Sequence, residues 1–422
     1  MNNEICSKLL ETYDTRHLDT LDLETQQFWN DTTRKILSSK NPFIKKNSNL
    51  VISRLVQNHF NKNKPITDLL SGPMSFTLQK SEKYNMNIYI FGEYHGLEDD
   101  CKQFLKNKEC KKPCKKTQIC NPKSGRCVSK KGKIGKTIKV NKKDITEMEI
   151  QEYFKKLLDN TDVFLDLYVE VPQFLNENYN SRYKILGSYT YLSKVYNTFR
   201  NCIQTYTRKN NKNCELFRFH YIDIRKKDNL SPDLVIENFI RDLDDSKISE
   251  SSKNFLEILT DINKKLLLEI YESDIENNNY IQKELSKTPL KNEILKYCKE
   301  IAKREIDYFD INLIKKNENI LFKKGDDKNF VYNLRSIFTT LGALAVDVYT
   351  LSRLFRTEFR ISKFQPKKQH NIIMYAGDAH STVYRGFLKS LDFDLLYKSG
   401  SVENQKSYRC VELKSEYQPL FE

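Results

Sequence analysis

Two short stretches carry the residues best suited to chemistry. The first, IYIFGEYHG (88–96), is apolar to Phe91 and then gives Gly92-Glu93-Tyr94-His95. The second, NIIMYAGDAH (371–380), ends Gly377-Asp378-Ala379-His380. With 12 Gly and 6 His in 422 residues, roughly 0.2 Gly-x-x-His matches are expected by chance. Two, each closing an apolar run, single these histidines out. Glycine at 92 and 377 predicts a sharp exit from a strand, with the histidine turned back over the rim of the sheet. Two more apolar runs end on ionisable residues. TDVFLDLYVEVP (161–172) closes on Glu170, and ELFRFHYIDIR (215–225) closes on Asp223 and Arg225. Imidazoles with carboxylates suit a divalent zinc, manganese, cobalt or iron ion, here held by His95, Glu170, Asp223 and His380. Such an ion lowers the pKa of bound water, and Glu93 or Asp378 would move the protons. The metal-free alternative makes His95 a general base acting on water. No Ser or Cys lies in a strand–turn–helix nucleophile motif, so acyl-enzyme chemistry is not expected.

Helical stretches separate these runs, which predicts an α/β fold with a largely parallel sheet. In such sheets ligands gather beyond the carboxyl ends of the strands, so the four runs would bring their terminal residues to one rim. Residues 1–85 read as a helical N-terminal region, with apolar residues three and four apart in 23–39 and 49–60 and a break at Gly72-Pro73. Residues 86–100 and 144–422 read as the α/β body, with a helical insertion over about 231–330 interrupted at Asn277-Asn278-Asn279. Helices are expected at 145–160, 178–209 and 330–357, and a short strand or hairpin at 394–413. His220 falls mid-strand on the face of Ile222 and is expected to pack rather than catalyse. Asp347 and Arg353 form either an internal ion pair or support for the site.

The order GEYHG followed by Glu98, then a strand ending in Glu170, then one ending in Asp223, then GDAH, resembles the superfamily of erythromycin esterases, ChaN-type haem-binding proteins and the TraB and Tiki families. It spans four short stretches of the chain. It implies that His95, Glu170 and His380 match the recurrent His, Glu and His of an α/β site, with Asp223 and Arg225 on the third strand. That superfamily holds esterases, metal-dependent proteases and haem binders. The resemblance therefore implies a metal-assisted hydrolase of ester or peptide bonds, acting on a small molecule or peptide, or else haem or metal binding without turnover.

The net charge of +15 has a single source, because residues 101–143 hold sixteen Lys or Arg against Glu109 alone. The rest of the chain is balanced, which argues against a basic nucleic-acid-binding body and for a basic attachment. Within it, Asn121-Pro122-Lys123-Ser124-Gly125 is a turn signal that brings Cys120 and Cys127 together. CNPKSGRCVSKKGKIGK (120–136) resembles the two-cysteine adaptor module of large DNA viruses. That resemblance implies a viral protein tethered to viral proteins or nucleic acid through 101–143, in the host cytoplasm, a virus factory or the virion. It also admits a non-catalytic virion or factory component. Cys110, Cys114, Cys120 and Cys127 stand as zinc ligands, as two disulfides or as free thiols. A hydrophobic fraction of 39% is enough for a packed core. The longest apolar passage, 341–355, is broken by Asp347 and Arg353 and is expected to be too short and polar to span a bilayer. The start has no cationic leader before an apolar segment, so an intracellular protein without a signal peptide is expected.

Overall fold

The computed structural model describes residues 34, 38, 66–94, 101, 117–121, 126–129, 131, 146–161, 163–172, 190–203, 216–225, 263–309, 328–359, 366–400, 409–418 and 420–421. The strands are β1 (Leu69–Ser71), β2 (Pro73–Ser81), β3 (Met86–Glu93), β4 (Gln118–Asn121), β5 (Arg126–Ser129) and β6 (Glu147–Glu149), then β7 (Leu165–Pro172), β8 (Phe217–Asp223), β9 (Asn371–Gly377), β10 (Asp394–Gly400) and β11 (Cys410–Glu412). The helices are α1 (Ile150–Asn160), α2 (Tyr191–Ile203), α3 (Lys264–Glu276), α4 (Asn279–Leu285), α5 (Lys291–Tyr308), α6 (Lys328–Leu354) and α7 (Asp378–Ser390).

The main sheet has the order β10-β2-β3-β9-β7-β8. Strands β3, β9, β7 and β8 are parallel, as the four apolar runs suggested, while β2 and β10 join antiparallel. The sheet is therefore mixed rather than largely parallel. The reason lies in β2, which occupies sequence that reads as part of a helical N-terminal region. Its PMSFTLQKS is buried along nearly its whole length, because helices cover one face and the C-terminal segment the other. The helices expected at 23–39 and 49–60 lie outside the described residues.

Side chains alternate between two apolar layers, as a pleated strand requires. Ile88, Ile90, Tyr168, Ile222, Ile372 and Met374 face one layer, packed on α3 to α7. Tyr89, Phe91, Leu167, Val169, Phe219 and Tyr375 face the other, packed on α1 and α2. The break expected at 277–279 is present. Asn277 caps the end of α3, and the Asn278 side chain accepts from the Tyr280 and Ile281 amides at the start of α4. Residues 394–413 supply two strands in different sheets rather than a hairpin, since β10 pairs with β2 and β11 pairs with β1. Among the described residues one helical stretch, Ser336–Leu354, is long and apolar enough to cross a membrane by length and composition. Five residues upstream of 341 lengthen it beyond the sequence expectation. It packs on the sheet and α3 to α5, with 67% of its apolar window buried inside the protein.

The topology fixes one location in particular. The chain leaves β9 into α7, on the face of the first layer, while the first described helix after β7 is α2, on the face of the second. Among the described residues, neighbouring strands β9 and β7 are thus followed by helices on opposite sides. Their carboxyl ends form a topological switch point, where open α/β sheets leave a crevice.

Candidate active site at the switch point

Glu170 lies near the end of β7 on the first-layer side, two beyond Tyr168, and it is 5% exposed. Its Oε2 accepts from the backbone N–H of Gly377 at 2.7 Å, which ties the end of β7 to the end of β9. Its Oε1 accepts from Arg225 Nη2 at 3.1 Å and lies 3.4 Å from His380 Nε2. His380 is the third residue of α7, which starts directly after β9. Its Nδ1 is 2.6 Å from Oδ1 of Asp347, a fully buried carboxylate on α6. A continuous chain Asp347–His380–Glu170–Arg225 therefore runs from the core outward. It ends at an Arg225 side chain one-third exposed, which Asp223 grips through Nε at 2.9 Å and Nη2 at 3.2 Å.

The electrostatics of this chain follow from its carboxylates. Burial alone would push the His380 imidazole down, but Asp347 and then Glu170 outweigh it and hold His380 well above the ordinary histidine range. The two carboxylates thus favour the imidazolium form of His380, while burial pushes the Asp347 carboxyl itself upward. The proton donors of the imidazolium then point at both carboxylates.

Beside this chain lies a second polar cluster, which explains one of the two glycines. Ser75 Oγ donates to Asp378 Oδ1. Arg385 donates to Asp378 Oδ1 at 3.2 Å, to Ser75 Oγ at 2.5 Å and to Thr77 Oγ1 at 3.2 Å. A Cβ at Gly92 would collide with Asp378 Oδ1 and Ser75 Oγ and would sit 3.0 Å from Asp378 Cγ. Gly92 is there for space. Gly377, at φ −51° and ψ 146°, has a conformation open to any residue, so no special exit from the strand requires a glycine there.

The residues singled out by sequence are thus brought together in part. Glu170, His380 and, through Arg225, Asp223 meet at one rim. Glu93 does not join them. It follows Phe91 on the second-layer side, and its Oε1 accepts from the Leu192 N–H at 3.2 Å, at the positive end of α2. His95 lies outside the described residues. Asp347, read as either an ion pair with Arg353 or support for the site, holds His380. Sequence gave no signal for Ser75, Thr77 or Arg385, which meet Asp378 only through strand pairing and helix packing.

Among the described residues no group of three or more His, Cys, Asp or Glu is arranged to hold a metal ion. The donor chemistry agrees. Both Glu170 oxygens are engaged, one by a backbone N–H and one by a guanidinium, and Asp223 is spent on the same arginine. A divalent ion at Glu170 would have to displace Arg225, so these residues as arranged do not fit one.

His220 packs as its position suggested. It is fully buried and stacks on Tyr168 at 4.1 Å. Arg353 Nε donates to its Nδ1 at 2.9 Å, so the proton sits on Nε2 and is donated to Asp166 at 2.7 Å. Burial, despite Asp166, pushes its pKa down to about 3. Arg353 and Arg356 share Glu284, each at 3.1 Å. In the basic insert, β4 and β5 pair antiparallel with Cys120 opposite Cys127, as the intervening turn signal required. Cys110 and Cys114 lie outside the described residues. Cys101 forms a buried disulfide with Cys410 on β11, a pairing across 309 residues that no local spacing announces.

No family model, curated protein or solved structure matches this chain.

Proposed function

We propose that the chain is a hydrolase of ester or amide bonds, acting on a small molecule or peptide at the β9–β7 switch point. The observation that supports it is the buried Asp347–His380–Glu170–Arg225 chain ending at a partly exposed guanidinium. In this scheme Asp347 fixes the ring and proton of His380, as the carboxylate does behind a catalytic histidine. His380 is the general acid: its Nε2 proton, turned toward Glu170 at 3.4 Å in the resting site, is the one passed to the leaving group. Glu170 holds the imidazolium from its other side. Arg225, the member nearest solvent, stabilises the negative charge that develops on the carbonyl oxygen. His95, two residues beyond the end of β3, takes the proton of the attacking water. Water adds to the carbonyl carbon, the bond to the leaving group breaks, and the two protons pass to His95 and from His380.

The test is hydrolysis of a panel of activated esters and peptides by the purified chain, compared with His380→Gln, Glu170→Gln and His95→Ala. Turnover that falls by about 100-fold or more in His380→Gln supports the scheme. Turnover that is absent, or unchanged in that variant, refutes it. Metal and haem content measured on the same samples covers the ion-assisted route: one ion per chain, lost in both histidine variants, would replace the metal-free scheme.

The β4–β5 hairpin supports a second, compatible role. With Cys120 paired to Cys127 on a strongly basic segment, the insert is proposed as the tether of a viral protein to other viral proteins or nucleic acid, within a virus factory or virion. A pull-down titrated with salt, from full-length chain and from a deletion of 102–143 that spares Cys101, tests it. Partner binding that survives the deletion removes the tether.

A further inference from the structure

The second-layer side of the same rim holds a buried arginine whose most selective edge has no partner among the described residues. Arg409 precedes β11, and its carbonyl accepts from the Gly72 N–H at 3.0 Å. Gly72 has φ +123°, and a Cβ there would meet Ile150 Cγ2 at 2.8 Å and the Tyr191 ring at 3.0 Å, so β1 and β2 can bend here only at a glycine. That bend places Arg409 against the start of α2, with its guanidinium carbon 5.9 Å from the Tyr191 ring centre.

Arg409 is 6% exposed. Its Nε and Nη2 are buried and have no hydrogen-bond acceptor among the described residues. These two nitrogens form the side-on fork of a guanidinium, the edge that takes both oxygens of a carboxylate or phosphate. The molecule shows how it uses that edge elsewhere. Arg218 gives Nε and Nη2 to the two oxygens of Asp166 at 2.6 and 3.1 Å, and Arg225 gives the same pair to Asp223 at 2.9 and 3.2 Å. At Arg409 no carboxylate of the described residues fills the place. Close by is Tyr375, fully buried, its hydroxyl near the Glu93 carboxylate but without a well-formed hydrogen bond among the described residues. Burial first, then Glu93, pushes the Tyr375 phenol well above its usual range, with Arg409 and Tyr191 also within electrostatic reach. The hydroxyl therefore stays protonated as a donor. A buried fork left without an acceptor carries a full desolvation penalty, and an oxyanion removes it.

We propose that Arg409 and Tyr375 bind a small-molecule oxyanion, a carboxylate or phosphate group, at the carboxyl end of β9 on the sheet face opposite His380. This site is independent of the hydrolase scheme. It is tested by isothermal titration calorimetry on the full chain with inorganic phosphate, with acetate, and with chloride at matched ionic strength. Saturable binding of phosphate or acetate but not chloride is expected, and which of the two binds tells a phosphate-bearing from a carboxylate-bearing ligand. Arg409→Lys keeps the charge and loses the fork, and should weaken binding at least tenfold. Tyr375→Phe keeps the buried ring and should weaken it about tenfold. His380→Gln should bind as wild type does. Absence of saturable binding of either oxyanion, or affinity unchanged in both Arg409→Lys and Tyr375→Phe, overturns the proposal.

Discussion

Replacing Gly92 with alanine tests why the apolar run of β3 stops where it does. The added methyl would overlap Asp378 Oδ1 and Ser75 Oγ and press on Asp378 Cγ at 3.0 Å. Side-chain ends usually swing away at little cost, but these two are held. Asp378 and Ser75 are bonded to each other and both to Arg385, whose side chain is only 10% exposed. Making room breaks at least two bonds to charged groups, worth about 1.5–3 kcal/mol each. Overpacking adds about 1–3 kcal/mol, and the stiffer unfolded chain returns about 0.4–1 kcal/mol. The balance is a loss of about 3–8 kcal/mol, large for a single substitution. The decisive assay is a double-mutant cycle in urea, with Gly92→Ala, Asp378→Ala and the pair, compared at constant m. Because Asp378→Ala removes two of the three colliding atoms and one end of the network, the pair should be less destabilised than the sum by about 2 kcal/mol. Loss of under about 1 kcal/mol in Gly92→Ala, or strict additivity, would show that Gly92 does not serve this cluster.

Asp347→Asn removes the stronger of the two partners that raise His380. The alkaline limb of hydrolysis, where an acid is lost, should move to lower pH with a fall in turnover of about 10-fold or more, read from the pH profile of kcat; an unmoved limb would assign it to another group. For His220 the direction of linkage is the opposite. Its proton is refused in the folded chain down to about pH 3 while the unfolded chain accepts it near 6.5. Its share of stability is therefore complete above about 6.5 and lost as pH falls toward 3, by at most about 5 kcal/mol. Stability measured against pH in wild type and His220→Gln should show a shallower acid decline in the variant. In the insert, Cys120 and Cys127 pair across an antiparallel ladder, where Cα atoms lie about 4.5–5.5 Å apart, within the reach of a disulfide. Mass spectrometry of the non-reduced protein should find them linked; a zinc ion released on acidification would show the thiolate alternative.

The fold was legible where local pattern and tertiary demand agree. The four parallel strands announce themselves because both of their faces are buried, and an unbroken apolar run ending on polar residues says so. That some of the singled-out residues come together has the same origin. Glu170 and His380 stand at strand ends, and a parallel sheet must bring such ends to one rim. Strand β2 was missed because Pro73 and the polar Gln79 and Lys80 blur its alternation, and its place depends on pairing with β3. Glu93 was drawn into the site by its neighbourhood in sequence. A strand turns alternate residues to opposite faces, and that single step puts Glu93 at α2 while Glu170 faces α7. Asp347 and Arg353, six apart on one helix, looked like a pair. Packing instead gives the first to His380 and the second to His220 and Glu284. The Ser75–Asp378–Arg385 cluster and the Cys101–Cys410 link join residues about three hundred apart, and nothing in either stretch names its partner.

The most direct measurement is the protonation of His380 itself, from the nitrogen chemical shifts of labelled protein titrated through neutral pH and beyond, with His380→Gln to assign the signal. Held between Asp347 and Glu170, the ring should carry both protons at pH 7 and keep them well into the alkaline range. A ring that is neutral at pH 7, or that loses its proton near 6.5 as a free histidine does, would contradict the arrangement on which the proposed chemistry rests.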